Sequence, residues 1–400
     1  MYSGRQAYKA RYVFPIVSPP LANGVVTVEG GQIVAVGRQA IGCEAIDLGN
    51  VAILPGLINP HTHLEFSGLA APLGEPHISF PDWVRRVVAH RRATPSNAAD
   101  VAAGLNECRR YGQVAVGEIA TAVWEEESLT CSIEATFFWE SIGLRHELVD
   151  DRLAVARAYL QSTSGSRAWR RGLSPHAPYS VHPRLFDGLI SLAAAARAPV
   201  AFHLAETAEE LRFLSSGDGP YRELLSDLGA WDEAAIPRGT RPFDYLRRLA
   251  ASGVQALIIH GNYLDEEEIA LLAAHADRLT VIYCPRTHAY FGHTRYPLSR
   301  LLAAGANVAL GTDSRASNPD LDLLEEMRFV ARHYADEIPP ATLLELCTLR
   351  AARALESADR LGSIEPGKTA ALATIRLTEA DSTDPHRLIY ESDRPATPLS

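Results

Sequence analysis

Lysine is almost missing from this chain of 400 residues. Lys9 and Lys368 are the only two, so no lysine amine is available to a site built from the residues between them. Cysteine is sparse and unpatterned. Cys43, Cys108, Cys131, Cys284 and Cys347 are scattered, odd in number and never in a Cys-x-x-Cys spacing, which argues against a disulfide framework or a thiolate zinc site and leaves them as small buried apolar residues. There is no dense Lys/Arg block and the formal net charge is -10, which disfavours nucleic acid or an anionic membrane and favours a small-molecule partner. No apolar run is long enough to cross a bilayer, and no secretory core follows Met1-Tyr2-Ser3-Gly4, so a cytoplasmic protein is expected. A homo-oligomer is compatible with all of this.

Hydrophobic residues make up 47% of the chain, ample for one large core with an appendage. Short apolar or β-branched runs, each followed by a polar turn and a segment of helical spacing, recur at 52–63, 113–119, 135–142, 171–179, 199–206, 256–262, 279–285 and 307–313. Such alternation predicts parallel βαβ units, and eight of them predict an α/β fold of TIM-like (β/α)8 type, with reactive groups at the carboxyl ends of the strands. Thr207 with Glu210, Asp265 with Glu268, and Asn318 before Pro319 read as helix starts placed just past the strands. The ends differ. Extended runs at 12–16, 25–28, 33–36, 45–48 and 370–377, split by Gly and Asn, predict a small β-sandwich built from residues 1–51 and 363–400, with the barrel at 52–362 inserted between. The connection 215–251 carries helical pieces and is expected to cover the pocket. The acidic run Glu125-Glu126-Glu127 reads as a solvated helix face.

His61 and His63 stand two residues apart at the end of the first apolar run, where alternate side chains share a face and can close on one metal ion. His203, His260 and Asp313 each end a later run. His61, His63, His203 and Asp313 offer three neutral nitrogens and a carboxylate, a set suited to one Zn2+ and acceptable to Fe2+, with room for a water molecule. Glu206, three residues beyond His203, is placed at the rim without being needed as a ligand.

Pro55-Gly56-Leu57-Ile58-Asn59-Pro60-His61-Thr62-His63, Phe202-His203-Leu204-Ala205-Glu206, Ile259-His260-Gly261 and Gly311-Thr312-Asp313-Ser314 together resemble the amidohydrolase superfamily, in particular its aminohydrolase branch. The resemblance spans essentially the whole chain and implies a metal-dependent barrel with a sandwich made of both ends. Many two-metal relatives bridge their ions with a carboxylated lysine on the fourth strand; with no lysine there, a mononuclear site is expected. Pro175-His176-Ala177-Pro178-Tyr179-Ser180, Leu64-Glu65-Phe66-Ser67 and Phe80-Pro81-Asp82-Trp83 resemble deaminases of adenine-containing compounds, acting on S-adenosylhomocysteine, 5′-methylthioadenosine, adenosine or aminofutalosine. Cys284-Pro285-Arg286-Thr287-His288 and the 313–318 segment lean toward the aminofutalosine type.

In the chemistry this implies, Asp313 takes a proton from the attacking water, Glu206 protonates a ring nitrogen, and His260 polarises the water or the developing oxyanion. His176 is expected to contact the sugar, or to pin the Pro-rich turn. Trp83 is expected to stack on base or sugar, or to pack. Glu65 is a candidate for a ribose hydroxyl or for supporting an imidazole. Arg145 and Arg286 are candidates for a substrate carboxylate, with surface salt bridges as the alternative, and His288 and His293 for lining the pocket. Two other functions compete: the same site hydrolysing a ring halide, lactam or N-acyl bond, because fold and metal do not fix the leaving group, and a non-catalytic barrel protein.

Overall fold

The computed structural model of the chain describes residues 4–124, 129, 133–162, 169–335 and 337–399. Cys131 and the Glu125-Glu126-Glu127 run lie outside the described residues.

The N-terminal segment forms β1 (Gln6–Lys9), β2 (Tyr12–Val13), β3 (Leu21–Ala22), β4 (Val25–Glu29), β5 (Gln32–Gly37), β6 (Ala45–Asp47) and β7 (Val51–Pro55). Eight strands follow: β8 (Leu57–Thr62), β9 (Gln113–Ala120), β10 (Glu134–Glu140), β11 (Trp169–Ser174), β12 (Val200–Leu204), β13 (Ala256–His260), β14 (Leu279–Tyr283) and β15 (Asn307–Leu310). They pair in parallel and in sequence order, β8 through β15. A parallel bridge between Thr62 and Asp313 joins the first strand to the last. Asn59 reinforces this seam: its side-chain amide donates to Thr312 Oγ1 at 2.8 Å, and its Oδ1 accepts the Thr312 N–H at 3.2 Å. The expected (β/α)8 barrel is therefore present, and its seam lies at the rim that carries Asp313.

Strand faces sort as a period of two demands. On β12, Val200, Phe202 and Leu204 join the large cluster shared with the surrounding helices, while Ala201 joins a separate cluster with Ile58, Phe138, Leu257, Ile259, Ile282 and Ala309. These inner residues fill the barrel. His203 shares the parity of Ala201 and so stands one layer nearer the rim.

The terminal strands and β16 (Leu372–Arg376) and β17 (Thr397–Pro398) form two small sheets, ordered β5-β4-β1-β6 and β17-β16-β7-β2-β3. The first predicted run, 52–63, is in fact two elements. Val51–Pro55 pairs with β16 and β2 in the five-stranded sheet, and only Leu57–Thr62 enters the barrel. Gly56 makes the joint because the chain there presses on Val114: a Cβ would sit 2.2 Å from Val114 Cγ1. In the sequence only the Pro55-Gly56 step marks that change of sheet within an otherwise apolar run. Asn318-Pro319 does not start a helix either; the helix Leu323–His333 is capped by Asp322, and the buried Asn318 amide donates instead to Thr312 O and Glu326 Oε1, each at 2.7 Å. The Asp265–Glu268 capping box is present as expected.

Gly117 on β9 is a second place where only glycine fits, since a Cβ would lie 2.2 Å from the Pro60 carbonyl oxygen on β8. Gly117→Ala should force the first two barrel strands apart and destabilise the protein by about 1–3 kcal/mol. Differential scanning calorimetry checks this, and an unchanged melting temperature would contradict the packing described.

Candidate metal centre and active site

Five of the predicted residues meet at the carboxyl end of the barrel. Potential ligand atoms of His61, His203 and His260 lie within 4.8 Å of one another, and so do those of His61, His63 and Asp313. Asp313 Oδ1 is 3.6 Å from His61 Nε2 and 3.7 Å from His63 Nε2. The His203 ring is set by its Nδ1–H, which donates to the His176 carbonyl at 2.9 Å and leaves Nε2 with a free lone pair. Both ring nitrogens of His61 and Nδ1 of His63 are buried with no hydrogen-bond partner among the described residues. Burial, aided by neighbouring imidazoles, holds His63 and His203 well below the usual histidine range, in the neutral form that coordinates metals. Unpartnered neutral nitrogens beside a carboxylate are a donor set that fits a divalent ion.

The chain turns sharply at these strand ends. Ala205, His260 and Asp313 have φ of 53°, 67° and 59°, a left-handed conformation uncommon for residues with a Cβ. Buried carboxylates hold the turns in place. Glu210 accepts the backbone N–H groups of Ala205 at 3.0 Å and Glu206 at 2.8 Å, and the Asn262 side chain donates to the Glu206 carbonyl at 2.9 Å. Glu118 accepts the Leu64 N–H just past His63, and the Thr62 hydroxyl at 2.6 Å. Ser317 donates to Asp313 Oδ2 at 3.1 Å.

Glu206 Oε1 lies 3.2 Å from His260 Nε2. Burial pushes the Glu206 carboxyl well above the usual range, with Asp313 and Glu210 adding to the shift, and burial pushes His260 well below its own. Burial thus favours the protonated form of Glu206, the form from which a general acid acts.

A cavity of about 420 Å³ opens over these groups. His176, Trp83 and Arg145 line it, as expected; so do Leu224, Leu225 and Leu228 from the 215–251 connection. Trp83 packs against Phe80 and Phe291, and its indole N–H donates to Ala316 O at 3.0 Å. Arg145 also pairs with Glu147 at 3.3 Å.

Four predicted contacts are corrected. Arg286 does not reach the cavity: its guanidinium is committed to Glu326 at 2.6 Å and Asp320 at 2.7 Å. Glu65 is withdrawn from the lining because Arg91 and Ser96 bind it directly and Thr121 donates to it at 2.9 Å. His288 is buried against Tyr283 and Tyr296 and lines no part of the cavity, and neither does His293, whose ring packs on Tyr263. Three charged lining residues were missed, Glu140, Arg91 and Arg152. Glu140 ends the third barrel strand, the same signal that marks His203 and His260, whereas Arg91 on the helix Phe80–Ala93 carries no such mark. Burial raises the Glu140 carboxyl to about 7 despite the Arg91 charge.

A barrel that gathers four imidazoles, an aspartate and a buried glutamate at one rim has the groups of a metal-assisted hydrolase. The amidohydrolase family model matches residues 52–396, and the chain belongs to that family as a hydrolase of carbon–nitrogen bonds. A 5-methylthioadenosine/S-adenosylhomocysteine deaminase of Natronomonas pharaonis is 28% identical over 392 residues, covering 94% of this chain and 84% of its own length. Among solved structures, Helicobacter pylori aminofutalosine deaminase in complex with methylthio-coformycin superposes with a TM-score of 0.83 at 23% identity, covering 98% of this chain and 97% of that one. A zinc-bound adenosine deaminase of Xanthomonas campestris gives 0.75 at 26% identity, covering 96% and 87%.

Glu210→Ala should strand the two amide N–H groups that hold Glu206, at a cost of about 1–3 kcal/mol each. The expected outcome is a lowered denaturation midpoint in urea with bound metal retained; an unaltered midpoint would show that Glu210 does not anchor the turn.

Proposed function

We propose that this protein is a hydrolytic deaminase that releases ammonia from the 6-amino purine of a modified adenosine, with an aminofutalosine-like compound as leading substrate and S-adenosylhomocysteine, 5′-methylthioadenosine and adenosine next. The observation that carries the reading is Glu206: a buried carboxyl, pushed by burial toward its neutral form, 3.2 Å from His260 and beside the histidine–aspartate cluster. A purine has a ring nitrogen next to its amine-bearing carbon, and protonating that nitrogen is what such an acid does best. The relative from Natronomonas pharaonis, alike over nearly the whole chain, lends support through the activity in its name.

One Zn2+ held by His61, His63, His203 and Asp313 would lower the pKa of a bound water toward about 7. Asp313 would take the proton of the attacking water as the water oxygen adds to the amine-bearing carbon. Glu206 delivers its proton to the adjacent ring nitrogen, so no negative charge accumulates on the ring. His260, 3.2 Å from Glu206, would orient the incoming oxygen and stabilise charge on it. Asp313 then passes its proton to the departing amine, ammonia leaves, and the added hydroxyl becomes the carbonyl as its remaining proton returns to Glu206. Arg145 and Arg152, with Leu144 and Leu148 beside them in the cavity lining, suit a 5′ substituent that ends in an anionic group.

Purified protein should carry one equivalent of metal by elemental analysis, and a chelator should abolish turnover that added Zn2+ restores. Glu206→Gln should keep that metal yet lose about 10²–10⁴-fold in ammonia release. Chloride or a ring-opened carboxylate as product, or no turnover across a panel of 5′-modified adenosines with metal loaded, would overturn the reading.

A further inference from the structure

Tyr221 is wholly buried, although it comes from the long connection 215–251 and lines no part of the cavity. It belongs to the helix Pro220–Asp227, whose Leu224 and Leu225, with Leu228 just past its end, form one wall of that cavity. The helix Phe80–Ala93 forms a second wall through Phe80, Trp83, Val84 and Val87.

The leucine-bearing helix hangs between two glycines. Gly219 before it has φ of 99° and Gly229 after Leu228 has φ of 66°, both in the left-handed region that favours glycine, and no side chain caps its start. Its polar tie to the second wall is an exposed ion pair, Arg85 Nη2 to Asp227 Oδ2 at 2.7 Å, and exposed pairs are weak. A short helix with permissive joints, a weak latch and an apolar face turned to a cavity has the make-up of a lid.

One contact ties this helix to the chemistry. Tyr221 Oη is hydrogen-bonded to Thr207 Oγ1 at 3.0 Å, and Thr207 is the residue after Glu206. The Thr207 oxygen accepts the Glu210 N–H at 3.0 Å, and the Glu210 carboxylate accepts the N–H groups of Ala205 and Glu206. A continuous run of hydrogen bonds therefore joins the leucine-bearing helix to the turn that aims the acid. Tyr221 and Leu225 also share an apolar cluster with Leu144, beside the part of the lining suited to a 5′ substituent.

We propose that Tyr221 is a positioning residue for Glu206, through which closure of the helix Pro220–Asp227 over the substrate's 5′ substituent sets the acid. The inference rests on the deaminase reading and deepens it: the far end of the substrate regulates the same site. An apolar 5′ group completes the leucine wall and holds the helix down, and the Tyr221–Thr207 bond is then made throughout the reaction. Binding far from the reacting carbon is thereby used to align the proton donor, so it appears in kcat and not only in KM.

The test measures ammonia release from the best 5′-modified adenosine and from adenosine, in the metal-loaded wild type and in Tyr221→Phe, which removes one hydroxyl and keeps the ring. The wild type should show the higher kcat with the 5′-modified compound. In Tyr221→Phe the ratio of the two kcat values should fall by roughly 2- to 12-fold, the effect of one neutral hydrogen bond, with metal content unchanged. A merely structural tyrosine would lower both rates alike and leave the ratio where it was. A wild-type ratio of one or less, or a ratio that the variant does not change, overturns the inference. A second measurement needs no variant and decides the matter if Tyr221→Phe fails to fold. In the wild type, amide hydrogen exchange at 220–228 and at 205–207 should slow together when the 5′-modified inosine product is added, and slow less with inosine. Slowing confined to 220–228, or seen in neither segment, overturns the inference. No ammonia from any 5′-modified adenosine overturns the deaminase reading and this inference with it, whereas ammonia release with an unchanged kcat ratio overturns this inference alone.

Discussion

The chemistry at the barrel rim depends on lone pairs that are buried and left unclaimed. Imidazole nitrogens and carboxylate oxygens normally find protein or water partners, and hiding them without one is costly. Here His61 and His63 keep ring nitrogens unpartnered, and Asp313 stands between 3 and 4 Å from both. Burial also removes the water that would stabilise imidazolium, so His63, His203 and His260 stay neutral. The same surroundings that make these groups unfavourable alone make them strong ligands together, because a cation restores the missing interaction.

Rigid support has to come from elsewhere, and buried glutamates supply it. Glu118, Glu210 and Glu326 each accept backbone N–H groups just beyond a barrel strand: Leu64 after β8, Ala205 and Glu206 after β12, Arg286 after β14. A carboxyl offers two acceptor oxygens to such amides at once, and it suits loops with left-handed residues that ordinary ladder bonds cannot hold. Glu206 can therefore be aimed at His260 although its own segment is neither strand nor helix. Preorganisation of this kind lets the acid act without reorienting as charge develops.

Not every carboxylate is structural. Glu65 and Glu140 both face Arg91, yet only Glu65 is saturated by Arg91, Ser96 and Thr121, and only Glu140 lines the cavity. The histidines divide in a comparable way. His176 turns its ring to the cavity, whereas His288 is enclosed by Tyr283 and Tyr296. Residue type and place on a strand or loop do not separate these cases; what surrounds each group in space does.

Strand ends, the alternation that turns His203 inward with Ala201, and the His61–His63 pair were legible because they follow from local periodicity and from chemistry carried by single residues. So were the eight-strand count, the capping box at Asp265 and the convergence of histidines and an aspartate into a cluster that could hold a metal ion. The joint at Gly56, the absence of a helix start at Asn318, the ion pairs that take Glu65 and Arg286 out of the pocket, and the parts of Arg91 and Glu140 were not. Each of these depends on a neighbour far along the chain: Val114 for Gly56, Glu326 for Asn318 and Arg286, Arg91 for Glu65 and Glu140. The chain alone determined which chemical groups stand at the barrel rim and in what order, since side-chain chemistry and strand period are local. Only the tertiary structure decided which of those groups are already paired and which stay free to meet a ligand, since pairing is a matter of distance across space.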